Sequence, residues 1–148
     1  MSFHPSHIRP DVALKEYLQD EIFAEYADGT MKPVAVYSDW ERPTNTLPQD
    51  FVTIYVNGDI GGVGMDTPYA SGYLAVSLYC KMDDSGAVNT VRIEKILEQF
   101  DDLIDDVLTE NYHFRYDASR FITPTTPNQS SGYSITTLNL RWTTTSNI

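Results

Sequence analysis

The chain carries a single cysteine, Cys80, in 148 residues. One thiol rules out an internal disulfide and any zinc site built from several cysteines. Basic residues are scarce too: 10 Lys and Arg stand against 21 Asp and Glu, giving a formal net charge of -11. A surface of that sign repels phosphate backbones, so nucleic-acid binding driven by counterion release is not expected. The chain has no run of about eighteen apolar residues, so no membrane span is expected. The opening Met1-Ser2-Phe3-His4-Pro5 lacks a basic region followed by an apolar one, so no secretory signal is expected and the chain reads as cytosolic in origin. Internal repeats and low-complexity segments are lacking as well. What is present is apolar content of 41%, enough for one domain over residues 1–148 with a real core.

The most regular stretch runs from Ala70 to Leu108. Leu74, Val76, Leu78, Cys80 and Met82 alternate with Tyr73, Ala75, Ser77, Tyr79 and Lys81, a period of two that predicts a strand with one apolar row. Asp83-Asp84-Ser85-Gly86 breaks the alternation, with Ser85 placed as a helix cap. From Val88, helical spacing puts Ile93, Ile96, Leu97, Phe100, Ile104, Val107 and Leu108 on one side, predicting a helix of about twenty residues, roughly 30 Å long. Cys80, on the apolar row, reads as a buried, inert thiol.

Residues 1–9 read as an arm. Pro10-Asp11 opens a first helix whose apolar side is Leu14, Tyr17, Leu18, Ile22 and Tyr26, and Asp28-Gly29 closes it. Pro33 to Tyr37 is a short strand, and 38–50, with Trp40, Pro43 and Pro48, a loop. Phe51 to Asn57 alternates again. Asn57 to Tyr69 holds four glycines and a proline, which predicts a long excursion between neighbouring strands, and such loops are often functional. Tyr112 to Tyr116 reads as a partly exposed strand, 117–131 as a long loop, and Tyr133 to Thr143 as a closing strand with a bulge near Thr136-Thr137. The tail, 144–148, reads as frayed.

Two helices cannot cover both faces of a sheet of about five strands, so the expected fold is α+β, a mixed or antiparallel sheet with both helices on one face. The other face would carry Phe51, Tyr55, Tyr73 and Tyr79 among Thr53, Ala75 and Ser77. Large rings beside small hydroxyls, with few charges, suit a face covered by another subunit; an ordinary solvated tyrosine-rich face has the same pattern.

The candidate chemistry is thin. Gly58 to Gly64 follows a strand, as a phosphate loop would, but no helix opens after it and no Gly-Lys-Ser/Thr is present. Asp101, Asp102, Asp105 and Asp106 form two carboxylate pairs at i,i+4, extended by Glu94, Glu98 and Glu110. That spacing suits a hard cation, but a solvated acidic helix face looks the same, and no metal is expected. Arg92 and Lys95 lie near the start of this helix, where its dipole prefers anions. His4 and His7 have ligand spacing but no neighbouring cysteine or acid triad. The serines lack a nucleophile elbow, so neither an enzyme nor a cofactor is expected.

The strand ending in Lys81-Met82, the turn Asp83 to Gly86, the helix from Ala87-Val88 through Phe100-Asp101-Asp102-Leu103-Ile104, and the whole order of elements resemble the tail terminator (tail completion) proteins of long-tailed bacteriophages. The loops at Trp40 to Asp50 and Ile122 to Ser131 are longer than a minimal version needs. The resemblance implies a small α+β protein that forms a hexameric ring at the head–tail junction of the virion after synthesis in the host cytoplasm. Its partners would be copies of itself, the tail tube protein and head-neck connector proteins, with genome DNA passing through unbound. Subunit or tube contacts would fall on Phe51, Tyr55, Tyr73 and Tyr79 and, from the glycine-rich loop, on Asp59, Met65, Asp66 and Tyr69. Asp101, Asp102, Asp105 and Asp106 would line the lumen or the outer surface, where negative charge avoids retaining DNA. A head-completion or neck adaptor protein would share these properties. A small metal-dependent hydrolase using the acidic helix is the alternative from another class.

Overall fold

The computed structural model describes residues 9–25, 29–38, 50–62, 70–104, 106–109, 112–116, 122–128 and 131–144. Its elements are α1 (Pro10–Leu18), β1 (Phe23–Glu25), β2 (Met31–Pro33), β3 (Ala35–Ser38), β4 (Asp50–Gly62), β5 (Ala70–Lys81), α2 (Thr90–Ile104), β6 (Asp106–Leu108), β7 (Tyr112–Tyr116), β8 (Ile122–Asn128) and β9 (Tyr133–Thr144). β3, β4, β5, β9, β7 and β6 lie side by side in that order, and β8 pairs with β9, giving a sheet of seven strands. β3 runs parallel to β4 and the other pairs are antiparallel. β1 and β2 form a separate antiparallel ribbon. The fold is α+β with a mixed sheet, richer in strands than the five expected.

β5 organises the sheet because its apolar row continues on both sides. Val76 lies opposite Ile54 and Leu138, Leu78 opposite Val52, and Leu74 opposite Leu140. Leu14 and Leu18 of α1, and Ile93, Ile96, Phe100 and Ile104 of α2, pack with this row in one buried cluster. Each such side chain contributes about 1.5–3 kcal/mol by leaving water. At the end of the row the Trp142 indole lies over Gly72, where a Cβ would sit 2.8 Å from the ring.

Several boundaries differ from the sequence expectation. α1 ends at Leu18, not at Asp28-Gly29, because Asp20 turns the chain with φ 64°, a conformation that Asp tolerates better than most residues. Ile22 is still buried, but from an extended segment whose carbonyl accepts the Val34 N–H at 2.7 Å. The expected strand from Pro33 to Tyr37 is two strands, β2 and β3. The cap of α2 is Asn89, whose Oδ1 accepts the Arg92 N–H at 3.1 Å. Ser85 instead donates its backbone N–H and its hydroxyl to Asp83 Oδ1, at 3.0 and 2.7 Å. With the Ala87 N–H, these donors hold the Asp83 carboxyl below its ordinary value, the Ser85 hydroxyl foremost.

α2 stops at Ile104, so Asp106, Val107 and Leu108 belong to β6, whose Val107 pairs with Phe114. Within the expected loop at 117–131, Ile122–Asn128 form strand β8. The bulge lies there, between Thr123 and Thr126 around Pro124, and not in β9, which pairs with β5 without interruption. Asn57 to Gly62, read as loop, continue β4 past a register shift, with Gly61 and Gly62 opposite Ser71 and Ala70. The N-terminal arm up to residue 8, the loop core at 39–49, residues 63–69 and the tail at 145–148 lie outside the described residues.

Candidate assembly surfaces

Successive rungs across β4, β5 and β9 place Phe51, Tyr79 and Ile135 together, then Thr53, Ser77 and Thr137, then Tyr55, Ala75 and Asn139, then Asn57, Tyr73 and Arg141. These residues alternate with the helix-covered row, so they form the opposite face of the sheet. At one end Phe51 stacks on Tyr79 with ring centres 4.6 Å apart, and Tyr37 and Tyr133 meet Phe51 edge-on. Ser77 and Thr137 join hydroxyls at 3.0 Å across the middle.

This packing sorts the expected contact residues. Phe51 is only 5% exposed, covered by Tyr37, Tyr79 and Tyr133 of its own chain. Tyr79 is half-buried beneath it. Tyr55 and Tyr73 remain open, 38% and 47% exposed, as diagonal neighbours on adjacent strands. Asp59 lies on β4 in the register shift, and Met65, Asp66 and Tyr69 lie outside the described residues.

A second surface, invisible in the sequence reading, lies between the β1–β2 ribbon and the first half of α2. It is a groove of about 500 Å³ whose apolar lining includes Phe23, Met31, Val91 and Ile96, with Arg92, Lys95 and Gln99 beside them. Phe23, Met31 and Val91 are all exposed. Polar side chains of α2 hold β1 in place. Gln99 accepts the Phe23 N–H at 2.8 Å and donates to the Phe23 carbonyl at 2.7 Å. Arg92 donates to the Glu25 carbonyl. Because the helix grips β1 through its backbone, the apolar side chains of the ribbon are left facing the groove. The sequence signal is Phe23, Met31 and Val91, apolar residues outside each predicted stripe.

Arg92 is itself fixed by Asp50, the first residue of β4. Its Nε donates to both carboxylate oxygens at 2.9 Å, and its Nη2 reaches Oδ2 at 2.5 Å. The Asp50 side chain is 1% exposed, so the pair is a buried fork joining sheet, helix and ribbon. The Cys80 thiol donates to Asp50 Oδ1 at 3.0 Å. Burial first, then this hydrogen bond and the nearby carboxylate, push its pKa up to about 12, which keeps it protonated and unreactive at neutral pH.

The far end of α2 is acidic. Asp101 and Asp102 are exposed, with Asp101 accepting the Tyr116 hydroxyl at 3.0 Å. Asp106 is corrected from helix to β6, where it meets His113 Nε2, so it is not part of a helical carboxylate array. Asp105 lies outside the described residues. Beside Asp106, Leu108 is 72% exposed on the edge of the sheet. Among the described residues no three His, Cys, Asp or Glu side chains gather as a cation site requires. Together these surfaces supply exposed aromatic area, an apolar groove edged by Glu25 and Lys95, and an acidic end. Neither a family model nor a curated protein matches the sequence.

Proposed function

We propose that this chain is a structural virion protein of the tail terminator kind, which assembles as a ring, caps the tail tube and joins it to the head-side neck proteins. The supporting observation is the pair Tyr55 and Tyr73, exposed side by side on a sheet face that neither helix shares. Tyrosine is enriched at protein interfaces because its ring offers apolar area while its hydroxyl finds a polar partner. The acidic surface at Asp101, Asp102 and Asp106 agrees with a ring that lets DNA pass unbound, since like charge keeps the phosphate backbone free. The order of elements around β5 and α2 supplies the family likeness.

The test is assembly of the purified protein and of a Y55D/Y73D double variant, followed by light scattering and by length measurement of tail tubes assembled in its presence. The reading expects a wild-type ring that fixes tube length and a variant that loses both properties while keeping its melting temperature. A variant that still caps tubes to normal length would remove the tyrosine face from the account.

A further inference from the structure

The open face of the sheet carries positive charge in a chain of net charge -11. Arg141 of β9 stands directly opposite Arg115 of β7, with Tyr73 and Asp106 as their outer neighbours on the same rung. Both arginines are exposed, and neither is in an ion pair among the described residues. Asp106, the carboxylate that the rungs bring to this face, is taken by His113. Like charges directly across a ladder destabilise it, so the arginine pair is unfavourable in the isolated chain.

The other side of the molecule presents the reverse. α2 packs on the opposite face of the sheet, and Glu94, Glu98 and Asp101 are exposed along it. Steps of four and three residues put them on one stripe, while Lys95 is turned to the groove. Asp101 accepts the Tyr116 hydroxyl. Glu94 and Glu98 are in no ion pair among the described residues, and like charges four residues apart on a helix repel. Cβ atoms at that spacing are about 5–6 Å apart. Those of directly opposed strand residues are about 4.5–5.5 Å apart, so the two pairs match one to one.

We propose that Arg115 and Arg141 dock the Glu94 and Glu98 stripe of a second copy of this chain. The choice of occupant rests on the ring-forming reading above; the match of charge and spacing does not. Contact relieves the repulsion on both sides, and each guanidinium can take a carboxylate through two hydrogen bonds. Tyr73, beside Arg141 on its rung and 47% exposed, adds apolar area to the contact. The two patches lie on opposite sides of one layer, so the contact runs head to tail, the type that closes into rings.

Charge reversal tests the pairing. R115E/R141E and E94R/E98R each set like charges against each other, and each alone should associate at least about tenfold more weakly than wild type. Mixed in equal amounts they should assemble again, and a chain with all four changes should assemble by itself. Circular dichroism melting checks folding; where a reversed pair unfolds, R115Q/R141Q or E94Q/E98Q takes its place and should still weaken association. Wild-type association should itself weaken as salt rises, because the matched charges are screened. If wild type assembles and the variants assemble equally well, the contact is overturned while the ring reading stands. Failure of both the mixture and the fourfold variant to recover has the same meaning. A single-stranded oligonucleotide that binds wild type but not R115E/R141E would assign the face to nucleic acid and overturn the contact as well. A wild type that stays monomeric at every concentration overturns both the contact and the ring.

Discussion

Gln99 binds Phe23 as a neighbouring strand would, taking its N–H and returning a donor to its carbonyl, at 2.8 and 2.7 Å. A helix side chain thereby stands in for a strand partner, and the short β1–β2 ribbon is held against α2 with its apolar side chains outward. Q99A should cost about 1 kcal/mol, because Phe23 is exposed enough for water to replace the lost bonds. The larger effect is local: the Phe23 amide should lose hydrogen-exchange protection while amides of β5 keep theirs. Unchanged exchange at Phe23 would mean that the ribbon is held by something else.

Asp50 and Arg92 carry a heavier load. Removing one partner strands the other in a buried site, which costs about 3–5 kcal/mol. R92A should therefore destabilise strongly in urea unfolding. R92A combined with D50A should cost less than the two single changes added together, since the stranded charge is gone. Additive losses would show that the pair is not coupled.

The strong parts of the fold were legible because their burial is regular. The alternation from Leu74 to Cys80 and the spacing from Ile93 to Ile104 each place one row in the core, and no competing pattern disturbs them. β1 was hidden because Leu18, Ile22 and Tyr26 keep helical spacing across a turn made by Asp20. β8 was hidden by Pro124 and Pro127, which normally mark loops. Here Pro124 falls in the register shift of a strand that, among the described residues, pairs only with β9, where a missing N–H is tolerated. The open aromatic face could be anticipated from the period of two, but not that Phe51 would be covered by Tyr37, Tyr79 and Tyr133. The groove depends on how β1 meets α2, a contact between segments far apart in sequence that no local pattern encodes.

Gly72 lies directly under Trp142. A Cβ there would come within 2.8 Å of Nε1 and Cζ2 of a ring that is 1% exposed. G72A should cost about 1–3 kcal/mol through displacement of the indole. Tryptophan fluorescence should shift with it, and a variant as stable as wild type would contradict this packing.

Alkaline pH should loosen the fold through two buried groups. Burial and Asp50 raise Cys80 from 9.0 to about 12, and burial and Asp11 raise Tyr112 from 10.0 to about 12. Both stay neutral in the folded state while the unfolded chain ionises, so their contribution is complete below pH 9 and is lost as pH climbs from 9 toward 12. Each group steepens the decline by up to about 1.4 kcal/mol per pH unit. Urea midpoints should fall over that window, and C80A should flatten the fall. A flat profile for wild type would mean that neither group is shielded.

The central claim is closed self-assembly. Electron microscopy of the purified protein, with native mass spectrometry on the same sample, tests it most directly. The account predicts a ring of about six copies of a 16.8 kDa chain, close to 100 kDa, with a central opening. A single species at the monomer mass, unchanged by raising the concentration or adding tail tubes, would contradict it.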